Sequence, residues 1–253
     1  MKIPRKNITK FFASKVYPLN PAYFRRIVNF AIFNEYFKPK KSSGFRVIQT
    51  ISDGSIPKSD AEEKEEFDFI KKIIGSDKPI TYLEFGVYQG RSIRSAAKIF
   101  SHHNSKFIGF DTFEGIPEKW LNRPKGHFDV DGKIPYVNDA RIFFIKGLFQ
   151  TSLHSFITSI LTNDNLTNSN KYGIDIKNST LIINMDADLY SSTLYCLTKL
   201  DPIIKSGTII RFDEFFTLED ECMAFRDYVR AYYKNFEILA ANDDGSHTII
   251  RIK

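Results

Sequence analysis

Two apolar runs in this 253-residue chain end in paired acids. Thr180-Leu-Ile-Ile-Asn-Met185 leads into Asp186-Ala-Asp188, and Thr208-Ile-Ile-Arg-Phe212 leads into Asp213-Glu214. Four converging carboxylates repel one another unless a cation neutralises them or one keeps its proton. Either state is chemically useful. All-oxygen donors suit Mg2+, Ca2+ or Mn2+ rather than zinc, and a carboxylate next to a hydroxyl can act as a general base. A plainer reading stands beside these, in which Asp188 or Glu214 merely caps the helix or turn that follows. One or two of the four are expected to be caps and the others to carry chemistry.

A second constellation lies upstream. Thr81-Tyr-Leu-Glu-Phe-Gly-Val-Tyr-Gln-Gly-Arg-Ser92 reads as a buried strand, a turn from Gly86 to Gly90 and a helix starting near Ser92. Glycines let the backbone approach a ligand closely, and the free N–H groups of a first helical turn face it. About twenty residues on, the strand Lys106-Phe-Ile-Gly-Phe110 ends in Asp111, where an acid can accept ribose hydroxyls. The alternative for Asp111 is a strand-end cap of the turn Asp111-Thr-Phe-Glu-Gly115.

The elements that must position these groups are legible in outline. The acid-ended runs are joined by a helix from Ser191 to Leu200, long enough for a right-handed crossover between parallel strands. Both acid pairs then share one sheet edge with the glycine turn and Asp111. Ser59-Asp60 opens a helix whose Phe67, Phe69, Ile70, Ile73 and Ile74 suit a sheet face, and Gly75 ends it. The segment 112–137 is long for a loop inside a compact domain. It holds Trp120 and His127 and follows a strand's carboxyl end, so it is expected to form a wall or lid of the site. Residues 162–180 read as a polar surface insertion. Phe236 to Ala241 and His247 to Ile252 read as a closing antiparallel hairpin.

The net charge of +6 is unevenly distributed. Residues 1–46 contain eleven of the Lys and Arg residues, with Glu35 as their one acid, interleaved with aromatics such as Phe11, Phe12, Tyr23 and Phe24. We expect residues 1–58 to form a basic, aromatic arm with a helix over 22–37, and 59–253 to form one α/β domain. The arm is expected to pack on that domain or on a second copy of the chain, as a homodimer. Contact with a membrane surface or an anionic glycan is the alternative. Nucleic acid is disfavoured because no recognition motif accompanies the charge. Cys196 and Cys222 have neither metal-site nor disulfide spacing. They read as buried thiols in a reducing, cytoplasmic setting. No run reaches transmembrane length, and no secretory signal is visible.

Together, the motifs resemble the class I S-adenosylmethionine-dependent methyltransferases, and within them the macrocin O-methyltransferase-like family that acts on sugar hydroxyls. The resemblance runs from about Ile80 to the end. It rests on Leu83-Glu-Phe-Gly-Val-Tyr-Gln-Gly90, Gly109-Phe-Asp-Thr-Phe-Glu-Gly-Ile-Pro117, Lys146-Gly-Leu-Phe-Gln-Thr151, Met185-Asp-Ala-Asp-Leu-Tyr-Ser-Ser-Thr193 and Phe212-Asp-Glu-Phe215. It implies a Rossmann-like, seven-stranded, mostly parallel sheet with an antiparallel C-terminal hairpin. It implies a cofactor site of Glu84, Phe85, Gly86, Tyr88, Gly90, Ser92, Asp111, Thr112, Gly147 and Asp186. It also implies Mg2+ on Asp188, Asp213 and Glu214, with Asp186 or Asp188 as base. His127 is a second candidate base by its loop position. Glu214 departs from the family's usual aspartate. The expected reaction is metal-assisted O-methylation of a sugar, glycan or secondary-metabolite hydroxyl. A different Rossmann-like nucleotide enzyme and a non-catalytic nucleoside- or glycan-binding module are the competing readings. A dehydrogenase is disfavoured because G-x-G-x-x-G is missing and hydride transfer has no use for a carboxylate cluster.

Overall fold

The computed structural model describes residues 46–48, 58–75, 77–162, 171–215, 219–242 and 246–253. The expected arm helix over 22–37 lies outside the described residues, as does much of the expected insertion.

Eight strands form one sheet, in the order β1-β7-β8-β6-β5-β2-β3-β4. They are β1 (Arg46–Ile48), β2 (Ile80–Phe85), β3 (Lys106–Asp111), β4 (Ile142–Lys146), β5 (Thr180–Met185), β6 (Ile209–Phe212), β7 (Phe236–Asn242) and β8 (Thr248–Ile252). All pairings are parallel except those of β8 with β6 and β7. Seven of the strands make the expected mostly parallel sheet with its antiparallel closing hairpin. β1 adds an eighth at the edge, alongside β7. No alternating pattern in this three-residue strand announces it.

The five described helices are α1 (Lys58–Ile74), α2 (Arg91–Ile99), α3 (Phe149–Thr162), α4 (Tyr190–Leu200) and α5 (Glu219–Ala231). Every residue of β2 and β6 is buried because helices cover both faces of the sheet. Side chains alternate across each strand. Leu83 and Phe85 therefore join one core with Phe110, Phe156, Phe212 and Phe225, while Ile80 and Tyr82 join the other with Phe67, Ile93 and Phe107. The abundant phenylalanines fill these two layers. Helix α1 begins at Lys58, so Ser59 and Asp60 lie inside its first turn. Phe67 and Ile70 are fully buried, and Gly75 closes the helix with its N–H donated to the Lys71 carbonyl at 3.0 Å. Cys196 and Cys222 are buried free thiols, as expected. Among the described residues no helix is long and apolar enough to cross a membrane.

Strand order reverses at β2, with β3 on one side and β5 on the other. Ligands of open α/β sheets bind at such a switch point, outside the strands' carboxyl ends.

Candidate active site

A cavity of about 300 Å³ opens at that switch point. Gly86, Tyr88, Asp111 and Thr112 line one part of it, and Asp186, Asp188, Asp213 and Glu214 another. The two constellations therefore meet in one space. Of the other expected site residues, Glu84, Phe85, Gly90, Ser92, Gly147 and His127 do not line it. Phe85 stacks on Phe110 in the core, with ring centres 4.9 Å apart. His127 is exposed, and its ring packs edge-on against Phe128. Gly147 lies behind Asp111, to whose carbonyl it donates its N–H at 2.9 Å.

The glycine turn is held by its neighbours. Gly86 donates its N–H to the Phe110 carbonyl, and Asp186 donates its own to the Phe85 carbonyl, each at 3.0 Å. A Cβ on Gly86 would stand 1.8 Å from the Asp186 carbonyl oxygen, at a φ of +91°. Only glycine fits there. Asp111 binds the turn while lining the cavity. Its Oδ2 accepts the N–H groups of Val87 and Tyr88, both at 2.8 Å, and its Oδ1 accepts that of Phe113 at 2.7 Å. Three of roughly four acceptor positions on a carboxylate are thereby taken. Asp111 is thus both a staple of the cradle and a cavity wall.

Glu84 is fully buried beneath the turn, not in contact with the cavity. It accepts hydrogen bonds from the Tyr82 hydroxyl at 2.6 Å and the Ser92 hydroxyl at 2.8 Å. Burial pushes its pKa up to about 8, against the pull of those two donors. The sign of the linkage follows. The folded state holds a proton that the unfolded chain releases near pH 4.5, so this contribution to stability is complete below that pH. It is lost as pH rises to about 8. The melting temperature of the ligand-free protein is expected to fall between pH 5 and pH 8, and Glu84→Gln to flatten that slope. An unchanged slope in Glu84→Gln, read by thermal denaturation, would refute this role of Glu84.

The acids after β5 and β6 have different environments. Burial, then Asp213 and Asp188, raise Asp186 well above its ordinary value. Asp188 and Glu214 share a hydrogen bond, and burial lifts them to about 7 and about 8. They form a proton-sharing pair that titrates as a unit. Neither acid caps α4 through its side chain. The helix's N-cap is Leu189, with no side-chain cap bond, and the Tyr190 N–H donates instead to Asp220 Oδ1. Asp188 is held at a φ of +59°, a conformation aspartate tolerates better than most residues.

Asp213 belongs to a buried ionic network that sequence reading missed. Burial raises its carboxyl, but Arg211 and then His247 outweigh burial and hold it below the ordinary range. The fully buried Arg211 donates to Asp213 Oδ1 at 2.8 Å, to Asn184 Oδ1 at 2.8 Å and to Glu66 Oε2 at 2.6 Å. His247 Nδ1 lies 2.7 Å from Glu66 Oε1. The hint was a charge in the middle of the otherwise apolar strand Thr208-Ile-Ile-Arg-Phe212, which needs a buried partner.

This network bears on the expected magnesium. Asp213 turns one oxygen onto Arg211, and Asp188 and Glu214 turn toward each other. Among the described residues no three carboxylate, imidazole or thiol groups are gathered as a metal ion requires. Asp188, Asp213 and Glu214 line the same cavity.

The segment 112–137 forms a wall, as expected. Ile116, Trp120 and Leu189 make a small core with Phe128 packed against it. The Trp120 indole N–H donates to Asp220 at 3.2 Å and the Ser191 hydroxyl to Glu118 at 2.7 Å, fastening the loop to α5 and α4. Gly115 allows a close chain crossing. A Cβ on Gly115 would meet the His127 carbonyl oxygen at 2.3 Å. Arg123 also lines the cavity and lies over the faces of Trp120 and Phe128. Such contacts are worth about 0.5–2 kcal/mol each.

No family model and no curated protein matches this sequence. Solved structures do match its fold. CalS11, a calicheamicin methyltransferase, superposes with a TM-score of 0.55 at 17% identity, over 79% of this chain and 87% of that one. This is a class I methyltransferase fold. The O-methyltransferase NovP matches with a TM-score of 0.52 at 18% identity, over 74% of this chain and 78% of that one. The apo form of CalS11, described as a TDP-rhamnose 3'-O-methyltransferase, matches over 99% of this chain and 96% of that one, with a TM-score of 0.52 and 16% identity. The methyltransferase fold explains why the glycine turn, Asp111 and the two acid-ended strands share one edge. It does not account for Arg123 or for the Arg211 network, which come from this chain's own side chains.

Proposed function

We propose that this protein is an S-adenosylmethionine-dependent O-methyltransferase acting on a hydroxyl of a sugar, glycan or secondary-metabolite acceptor. One observation carries the reading. A single cavity is walled by a glycine cradle in one part and by the proton-sharing Asp188–Glu214 pair in another. The cradle suits the cofactor because at Gly86 the backbone itself forms the surface. Gly86, Tyr88, Asp111 and Thr112 would hold the cofactor. When bound, it supplies an electrophilic methyl group on a cationic sulfur.

The remaining work falls to the chain's own residues. Asp188 takes the proton of the acceptor hydroxyl while Glu214 retains the shared proton. Pair values of about 7 and about 8 leave one carboxylate able to act near neutral pH. A base poised near the working pH is the effective one, worth about 10²–10⁴-fold. Asp213, fixed by Arg211, and Asp186 line the cavity, and the segment 112–137 walls it. The sugar acceptor is supported by the likeness of fold to CalS11, described as a TDP-rhamnose 3'-O-methyltransferase, together with the motif resemblance.

Calorimetric titration of S-adenosylhomocysteine, with and without Mg2+, tests the reading. Binding is expected without Mg2+ and unchanged by it, and NAD is not expected to bind. Failure of S-adenosylhomocysteine to bind under both conditions would overturn the reading in favour of a different nucleotide enzyme or a glycan-binding module.

A further inference from the structure

One cation in the cavity wall is left unused by the fold and by the base pair. The Arg123 guanidinium carbon lies 4.6 Å from the Trp120 ring centre and 4.8 Å from that of Phe128. Its backbone is fixed by reciprocal hydrogen bonds with Trp120 at 3.0 and 2.8 Å. The rings cover the faces of the guanidinium, while its N–H groups enter no ion pair or hydrogen bond among the described residues. Other cations nearby are engaged. Lys133 pairs with Asp131, Lys146 with Glu114 and Arg91 with Asp60. Arg141 binds Asp139 and the carbonyls of Ala97 and Phe100.

A guanidinium clamped by its faces presents a planar fork of donors, and the groups that match such a fork are carboxylate and phosphate. Arg123 draws the Asp188 and Glu214 carboxyls downward through space, but neither is within ion-pair reach, so its donors remain available. The same loop carries exposed Lys119 and Lys125. We propose that Arg123 anchors an anionic group of the acceptor, a phosphate or a carboxylate, so that the acceptor is a charged sugar derivative rather than a neutral one. This rests on the O-methyltransferase reading and names the acceptor class for it.

The test uses the full-length protein saturated with S-adenosylhomocysteine and three calorimetric probes. TDP-rhamnose carries phosphates, methyl glucuronide a carboxylate, and methyl rhamnoside no charge. At least one charged probe is expected to bind ten or more times more tightly than methyl rhamnoside. Arg123→Gln is expected to weaken that probe by roughly tenfold to a hundredfold while leaving S-adenosylhomocysteine affinity unchanged. Arg123→Lys should retain part of the affinity, because charge survives without the fork. Phe128→Leu, which loosens the clamp and keeps the charge, should fall between. Melting temperatures confirm that each variant is folded, and Arg123→Lys decides if Arg123→Gln is not. Methyl rhamnoside binding as tightly as both charged probes, no charged probe binding at all, or full affinity for the charged probe in Arg123→Gln would each overturn the proposal. Loss of S-adenosylhomocysteine binding in the native protein would strike the methyltransferase reading instead. The charged and neutral probes on the cofactor-free protein would then still decide the role of Arg123.

Discussion

Gly86→Ala is expected to abolish binding of S-adenosylhomocysteine and to destabilise the fold by about 2–5 kcal/mol, lowering the melting temperature by roughly 4–20 °C. Two effects add. At a φ of +91° any side chain strains the backbone, and the new methyl would stand 1.8 Å from the Asp186 carbonyl oxygen. That oxygen belongs to backbone stitched to Phe85, so the turn has to yield. As it tilts, the Val87 and Tyr88 N–H groups leave Asp111 and the cradle opens. Gly75→Ala separates the two effects, because Gly75 has a similar φ of +92° with nothing within 4 Å of its missing Cβ. It should lose only the strain, about 1–2 kcal/mol, and bind normally. Equal melting temperatures for the two variants would contradict this account of the turn.

Arg211→Met is expected to cost about 3–5 kcal/mol, or roughly 6–20 °C in melting temperature. The methionine fills the space but leaves the buried carboxylate of Glu66 and the half-buried one of Asp213 without their guanidinium. Removing one partner of a buried pair is far more harmful than replacing the whole pair. Adding Glu66→Gln should therefore recover part of the loss. The pH dependence has a definite sign. In the native protein both carboxyls sit below their ordinary range because Arg211 outweighs their burial. Without Arg211 burial prevails, so both would take up protons and the defect should shrink toward pH 5 and grow toward pH 8. A deficit that stays constant across this range, measured by chemical denaturation at several pH values, would show that lost packing rather than charge is responsible.

The architecture was legible because its signals are local. Ile80–Phe85, Thr180–Met185 and Ile209–Phe212 are mostly apolar runs bounded by turns, and buried parallel strands look like that. The acids at their ends followed from the runs themselves, and strand topology brought them together. Less legible was what each side chain does once there. Arg211 meets Glu66 from 145 positions away and His247 meets it from 181, distances at which no spacing rule applies. Glu63 and Glu66 are charged residues of helix α1, yet both are buried. Asp111 was recognisable as a strand-end acid. That backbone donors take up most of its carboxylate depends on a turn whose shape only coordinates reveal. Arg123 was hidden for the same reason, since its two rings lie within five residues of it but meet it only because the loop folds back on itself.

Trp120 is the sole tryptophan of the chain and is built into the wall of the cavity. Its ring is covered by the Arg123 guanidinium and its N–H is tied to Asp220. The tryptophan emission of this protein therefore comes from one indole packed against Arg123. Any molecule that draws Arg123 away from the ring changes the emission. The protein thus contains its own optical reporter, and unlabelled compounds can be screened as acceptors before any reaction product is known.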